Sequence, residues 1–321
     1  MASAAAIPGA RFTGADFLAL ERQLLWPRGW VFVGRDDEVS EPGHYFMWER
    51  TGVPLIVIRS ADGAVRIFYN SCRHRGAPVV REPRGRNRAL RCQYHSWTYD
   101  TFGRLVSVPD ERDFVDLRLE DRSLVEVRAE SCGGWLFATE SPTTPPLANA
   151  LGAAADGLKV AAGHRAIHSK SWRVKANWKL AAAILPGVVA GMNAGEAATL
   201  APNLAWATGP EASLVMAAWP VIWPELHIDH CEITATFAAP AWDEDDGSPA
   251  ASAAWQARIA KLDEAGARLQ TEAEALQESV RRTGGLPGAE SAIRLNATVD
   301  AAIGHDAIPA ALRTAVPAAT A

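Results

Sequence analysis

The spacing of apolar and polar positions changes character along the chain. Residues 12–36 read as a short helix, FTGADFLALERQLLWPRGW, running into an apolar strand, VFVG. Thr13 is placed to cap that helix, with Asp16 three residues on. From 37 to 140 the pattern is of short strands separated by turn residues: Tyr45–Glu49, Leu55–Arg59, the turn Asp62-Gly63, then Val65–Tyr69. Gly134–Phe137 reads as a closing strand, and the Pro-rich run Ser141–Pro146 as a linker. Beyond it, Ile167–Val174 alternates as a strand and runs into Asn177-Trp-Lys-Leu180. Ser213–Trp219, Leu226–Ile228 and Glu232–Ala238 read as further sheet strands. Residues 253–282, rich in Ala, Glu, Gln and Arg, predict a long helix stopped by Gly284-Gly285 and Pro287. No internal repeat is visible.

Composition narrows the class. A length of 321 residues suits about two domains, and an apolar share of 48% is enough for real cores. A net charge of −5 gives no reason to expect nucleic acid. Four cysteines suggest a reducing, cytoplasmic setting rather than a disulfide scaffold. The start, MASAAAIPGARF, lacks the basic end and continuous apolar core of a signal peptide. No apolar run reaches the ~18 residues of a membrane span, so no membrane partner is expected.

The candidate chemistry lies in SCRHRGAPVV and RCQYHSWTYD, where Cys72, His74, Cys92 and His95 are spaced C-x-H-x17-C-x2-H. Two such loops can hold a [2Fe-2S] cluster asymmetrically, with two thiolates on one iron and two imidazoles on the other. Neutral imidazoles leave the cluster less negative and easier to reduce. The same residue types also suit zinc, and spacing alone leaves both open.

The flanking residues favour iron–sulfur. The words Asn70-Ser-Cys-Arg-His-Arg-Gly76 and Cys92-Gln-Tyr-His-Ser-Trp-Thr-Tyr99, followed by Gly103-Arg-Leu105 and Pro109, resemble the Rieske-type non-haem iron oxygenases, the ring-hydroxylating oxygenase large subunits. The second cysteine pair of respiratory Rieske proteins is missing, since Arg75 and Tyr94 stand there. Cys132 and Cys231 are expected to pack as small apolar residues. The resemblance implies an α+β chain: an all-β Rieske [2Fe-2S] domain inserted before a helix-grip domain of antiparallel sheet plus long helix. The expected division is 1–36 as the N-terminal segment of the second domain, 37–140 Rieske, 141–165 linker, and 166–321 the catalytic-like domain. "NWKL" is the family's entry to that domain.

There the pattern fails. The family binds one iron through two histidines and a carboxylate. Aligned without gaps, its Glu-Asn pair falls on Ala183 and Ile184, its bridging acid on Gly187, its histidines on Ala190 and Gly195, and its carboxylate on Ala275. None of these side chains carries a donor atom. Residues 181–201 contain no His or Cys, and Glu196 is their one carboxylate. Elsewhere, His227-x-x-His230 with Asp229 invites a relocated site, but residues three apart on a strand point to opposite faces. His164 and His168 would converge only on a helix, which Gly163 disfavours.

Trp97 is expected to shield the cluster from water. Arg73, Arg75 and the arginines at 81, 84, 86, 88 and 91 are candidates for docking a redox partner. The expectation is an auxiliary, oxygenase-like subunit, not catalytic alone, that keeps a [2Fe-2S] cluster on Cys72, His74, Cys92 and His95 without a mononuclear iron. It would pass electrons to, or structurally support, a homologous catalytic subunit in a trimer-based hetero-oligomer served by a reductase or ferredoxin. Two other readings stand beside it: a free-standing electron-transfer or redox-sensing protein, and a complete oxygenase with a relocated iron site.

Overall fold

The computed structural model describes residues 7–192, 194–222, 227–242, 247–286 and 290–313. They form two compact units. One comprises Val31–Ser131 with Trp135–Thr143, and the other the residues up to Trp30, Cys132–Gly134 and the chain from Thr144 onward.

The first unit is all β apart from short 3-10 turns. Its larger sheet runs, in spatial order, Val31–Arg35, Trp135–Thr139, Glu126–Cys132, Val65–Tyr69, Leu55–Arg59, His44–Trp48 and Arg84–Arg86. A smaller sheet joins Ala89–Arg91, Thr98–Asp100 and Leu105–Ser107. The hairpin at Asp62-Gly63 works as its sequence suggests: Gly63 takes φ 84°, and the Asp62 carboxylate accepts from the Ala64 N–H. Arg66 donates to the same carboxylate and holds its pKa down at about 2. Tyr45, Ile56, Ile58 and Phe68 from the large sheet pack against Leu90, Tyr99 and Leu105 from the small one.

The second unit carries a five-stranded antiparallel sheet ordered His164–Val174, His227–Pro240, Ser213–Val221, Leu204–Thr208, Glu196–Leu200. The helix Trp178–Gly191 packs on this sheet and against the helices Ala253–Thr283 and Glu290–Ile303. Ser252 caps the long helix through the Trp255 N–H, and Gly284 ends it in the left-handed region at φ 73°. Its buried positions Trp255, Leu262, Ala265, Leu269, Ala273 and Val280, spaced by three, four or seven residues, define the inward stripe. Gly266 lies where a Cβ would meet the Trp172 ring at 2.7 Å, so the strand's indole seats directly on the helix backbone.

The structure departs from the sequence expectations in definable ways. Thr13 does not cap: it ends a short helix, its hydroxyl donates to the Gly9 carbonyl, and Gly14 starts the next helix. The run 141–165, expected as linker, contains helices Leu147–Leu151 and Ala154–Lys159. Strands Glu196–Leu200 and Leu204–Thr208 and the helices Trp178–Gly191 and Glu290–Ile303 carry weak sequence signals. Trp178–Gly191 is apolar on nearly every side and holds Pro186, so neither periodicity nor propensity marks it. Leu226 and Pro287 lie outside the described residues.

One buried ion pair ties the N-terminal segment to the NWKL word. Lys179 Nζ donates to Glu21 Oε1 at 2.5 Å, with both side chains fully buried. Trp178 Nε1 donates to Glu21 Oε2 at 2.9 Å, and the rings of Phe12, Phe17 and Trp178 surround the ammonium. Burial dominates and pulls the Lys179 pKa down, with Glu21 opposing it. Removing one partner strands the other charge, whereas removing both charges does not. Lys179→Met should therefore cost about 3–5 kcal/mol, a drop of roughly 10 °C in the thermal midpoint. Glu21→Gln combined with Lys179→Met should recover most of it, because the amide still accepts from Trp178. A double variant no more stable than the single would show that charge balance is not the constraint.

Candidate metal centre

The two loops of the motif share one hydrogen-bond scheme. In the first, the Cys72 N–H donates to Ala77 O and the Gly76 N–H to Cys72 O. In the second, the Cys92 N–H donates to Trp97 O and the Ser96 N–H to Cys92 O. The fifth residue of each loop is left-handed, Gly76 at φ 76° and Ser96 at φ 58°. Glycine adopts that region freely; Ser96 is held there with its hydroxyl accepting from Arg91. The loops are thus conformational copies, although the histidine sits two residues after one cysteine and three after the other.

This frame separates the donors. Cys72 and Cys92 are 3% and 1% exposed and belong to the apolar core with Trp97 and Tyr99. His74 is half-buried and His95 exposed, and their Nδ1 atoms face each other at 3.2 Å. The Cys72 and Cys92 thiols are in contact with each other. Burial is the main influence raising the Cys72 thiol pKa, and burial followed by the nearby charges of His95 and Arg75 lowers that of His74. Sulfur paired with sulfur and imidazole with imidazole is the arrangement an asymmetric two-iron cluster requires.

The surroundings hold this arrangement in place. The Trp97 ring stacks on His74 at 5.0 Å between centroids and 14° between planes, so it covers one imidazole face. Phe114 closes edge-on against both rings. Asn70, almost fully buried, accepts from the Val79 and Val80 N–H groups and donates to Val80 O, bracing the first loop. The Tyr99 hydroxyl accepts from the Arg73 N–H at 3.0 Å and lies 3.2 Å from Cys72 Sγ, to which it donates when that sulfur is a thiolate. Asn70 and Tyr99 stand within the matching words, but only the distances assign them these roles.

Arg73 and Arg75 are exposed beside His74, and Arg81 lies over the Tyr94 ring next to His95. Arg84 and Arg86 are instead paired with Glu38 and Glu41. Of the other two cysteines, Cys231 is fully buried and its thiol is pushed up by burial, while Cys132 reaches the Ala155 carbonyl.

The oxygen-activation positions fare differently. Ala183, Ile184 and Gly187 line a cavity of about 680 Å³ between the helices Trp178–Gly191 and Ala253–Thr283. Among its described lining residues, Glu272 is the one carboxylate, and there is no imidazole or thiol. Ala190 and Ala275 are exposed and do not line it. Gly195 has φ +127°, and a Cβ there would lie 1.9 Å from the Thr208 carbonyl oxygen, so this backbone excludes any side chain. Glu196 starts a strand, its side chain outside the described residues. His164 pairs with Ser213 on a strand and does not join His168 in a metal-holding group.

The Rieske [2Fe-2S] domain matches residues 29–125. The chain is 34% identical over 212 residues to chlorobenzene dioxygenase subunit alpha of Cupriavidus sp. (strain PS12), covering 60% of this chain and 47% of that one. It is 33% identical over 178 residues to benzene 1,2-dioxygenase subunit alpha of Pseudomonas putida (strain F1), covering 53% and 40%. The chain thus spans about half the length of the curated relatives it matches. Its fold matches the quaternary ammonium Rieske monooxygenase CntA in complex with L-carnitine at a TM-score of 0.74 and 16% identity, over 94% of this chain and 96% of that one. The chain carries a Rieske domain, the kind that holds a [2Fe-2S] cluster, and is homologous to ring-hydroxylating dioxygenase alpha subunits.

Two measurements test the site. Tyr99→Phe removes a hydrogen bond to a cysteine sulfur, and such bonds help set cluster potentials. A differential of about 1 kcal/mol between redox states should lower the potential by roughly 40–50 mV, read by protein-film voltammetry; an unchanged potential would show the bond to be redox-silent. Gly195→Ala should lose at least about 2 kcal/mol through backbone strain, whereas Gly187→Ala, an open helical position, should gain about 0.5–1 kcal/mol. Equal thermal midpoints for these two variants would contradict the steric argument.

Proposed function

We propose that this Rieske-bearing homologue of dioxygenase alpha subunits is an auxiliary subunit of a heteromeric Rieske oxygenase. Cys72 and Cys92 hold one iron of the cluster and His74 and His95 the other. When bound, the cluster supplies one-electron transfer at a potential raised by its imidazole ligands. Cys72 and Cys92 anchor it within the apolar core. His74 and His95 present its outer edge to solvent, Trp97 excludes water from one side, and Tyr99 fixes the Cys72 sulfur.

The observation that carries this reading is the second unit's lack of donors where an oxygen-activating iron needs them. Dioxygen activation requires a metal with open positions beside the substrate. Ala190 and Ala275 are exposed and do not line the cavity, and Gly195 cannot accept a side chain. The chain then relays electrons to, or structurally supports, the iron of a homologous catalytic subunit within a trimer-based cytoplasmic assembly. Retention of a whole second unit favours this over a free-standing electron carrier, which needs only the Rieske part. Arg73, Arg75 and Arg81 offer a positive surface to an acidic reductase or ferredoxin.

The test is reconstitution. After anaerobic purification and dialysis against a chelator, the chain should hold two irons and two acid-labile sulfides, with a Rieske-type paramagnetic resonance signal on reduction. Cys72→Ser should abolish that signal. The chain alone should take electrons from a reductase yet oxidise no substrate. Mixed with a homologous subunit carrying an intact two-His, one-carboxylate set, it should co-purify and support turnover. Substrate oxidation coupled to dioxygen uptake by the chain alone would overturn the proposal.

A further inference from the structure

We propose that His227, Asp229 and His230 form a cation site for a divalent transition metal of the zinc class, separate from the Rieske loops. The objection from strand geometry is removed by a bulge. Pairing between the strands Ser213–Val221 and His227–Pro240 jumps from Pro220↔Cys231 to Val221↔His227. One step on the first strand is thus matched by four on the second, and Ile228, Asp229 and His230 are left out of the ladder. Asn177 Nδ2 donates to Ile228 O at 3.0 Å and pins the bulge to the start of the helix Trp178–Gly191.

The result is convergence. The His227 and His230 rings lie 5.2 Å apart, and one ligating atom from each of His227, Asp229 and His230 falls within 4.8 Å of the others. His230 Nδ1 stands 2.9 Å from Asp229 Oδ1. Among the described residues this is the one group of three or more His, Cys, Asp or Glu side chains so gathered. Two imidazoles and a carboxylate suit zinc, cobalt or nickel better than magnesium or calcium, which prefer all-oxygen shells.

Three protein ligands leave coordination positions open, and there is space for them. His227 and Asp229 border a cavity of about 560 Å³ whose other walls include Gly9, Thr13, Val280 and Gly284. Closing on zinc at about 2.1 Å brings tetrahedral ligand atoms to about 3.4 Å apart. The exposed His227 side chain can supply that movement by a rotamer change. Arg281 donates to Asp229 Oδ2 and competes with a cation for it, which weakens binding.

The site stands independently of the auxiliary-subunit reading, and its test is chosen to stay so. Cluster-loaded full-length chain, freed of loose metal by chelator, is titrated with Zn²⁺ in a calorimeter. One micromolar site per chain is expected. His227→Ala combined with His230→Ala, and separately Asp229→Asn, should each weaken it at least tenfold while the visible spectrum of the cluster stays unchanged. That spectrum reports on the Rieske loops alone, so a fault there is distinguishable from a fault here. Absence of binding tighter than millimolar in the unaltered chain, or binding unchanged in the double variant, overturns the proposal. Weakening in the histidine variant without weakening in Asp229→Asn removes the carboxylate from the site and overturns the three-ligand assignment.

Discussion

The shared hydrogen-bond frame of the two loops is the constraint on which the Rieske unit depends. Each cysteine has its backbone N–H and C=O closed within its own loop, so the sulfur is carried on a rigid turn. Such a turn needs a left-handed residue at its fifth position, and both loops provide one. Because the turns are fixed, the cysteines can belong to an apolar core while the histidines reach solvent. A flexible loop could not keep two sulfurs buried and two imidazoles 3.2 Å apart at their Nδ1 atoms.

The second unit is organised around the residue that opens its central helix. The Asn177 N–H donates to the Gln277 side chain, its Nδ2 to Ile228 O, and its Oδ1 accepts from the Lys179 N–H. One side chain and its backbone thereby join the long helix, the bulged strand and the helix start. Lys179 then extends the connection to Glu21 in the N-terminal segment. The three positions onto which the sequence places iron ligands differ in setting: Ala190 and Ala275 are exposed and do not line the cavity, and at Gly195 the backbone leaves no room for a side chain.

Cation sites read from sequence depend on local backbone form, and His227-x-x-His230 illustrates the point. On a regular strand the spacing is wrong, and on a bulge it is right. The bulge is invisible in the residues 227–231, which contain neither glycine nor proline. It is seen only in the pairing with the preceding strand and in the hydrogen bond from Asn177, 51 residues from Ile228.

Sequence alone determined whatever rests on residue chemistry and short spacing. Cys72, His74, Cys92 and His95 announce themselves because two loops carry their donors within a few residues of one another. The hairpin at Asp62-Gly63 and the stop at Gly284 are set by φ preferences that belong to single residues. The lack of imidazole or thiol at 181–201 is likewise a matter of composition. Tertiary structure decided what depends on contacts between distant segments. Tyr99 and Asn70 acquire their roles from distances of about 3 Å to residues up to 27 positions away. Thr13 lost its capping role to an earlier turn. The helix Trp178–Gly191 packs on the sheet, and a nearly all-apolar stretch with a proline carries no period of its own. The exclusion of any side chain at Gly195 comes from a carbonyl thirteen residues on, brought against it by strand pairing. Except at Thr13, whose partner Gly9 is four residues away, the deciding partner is separated along the chain, and only folding brings it within reach.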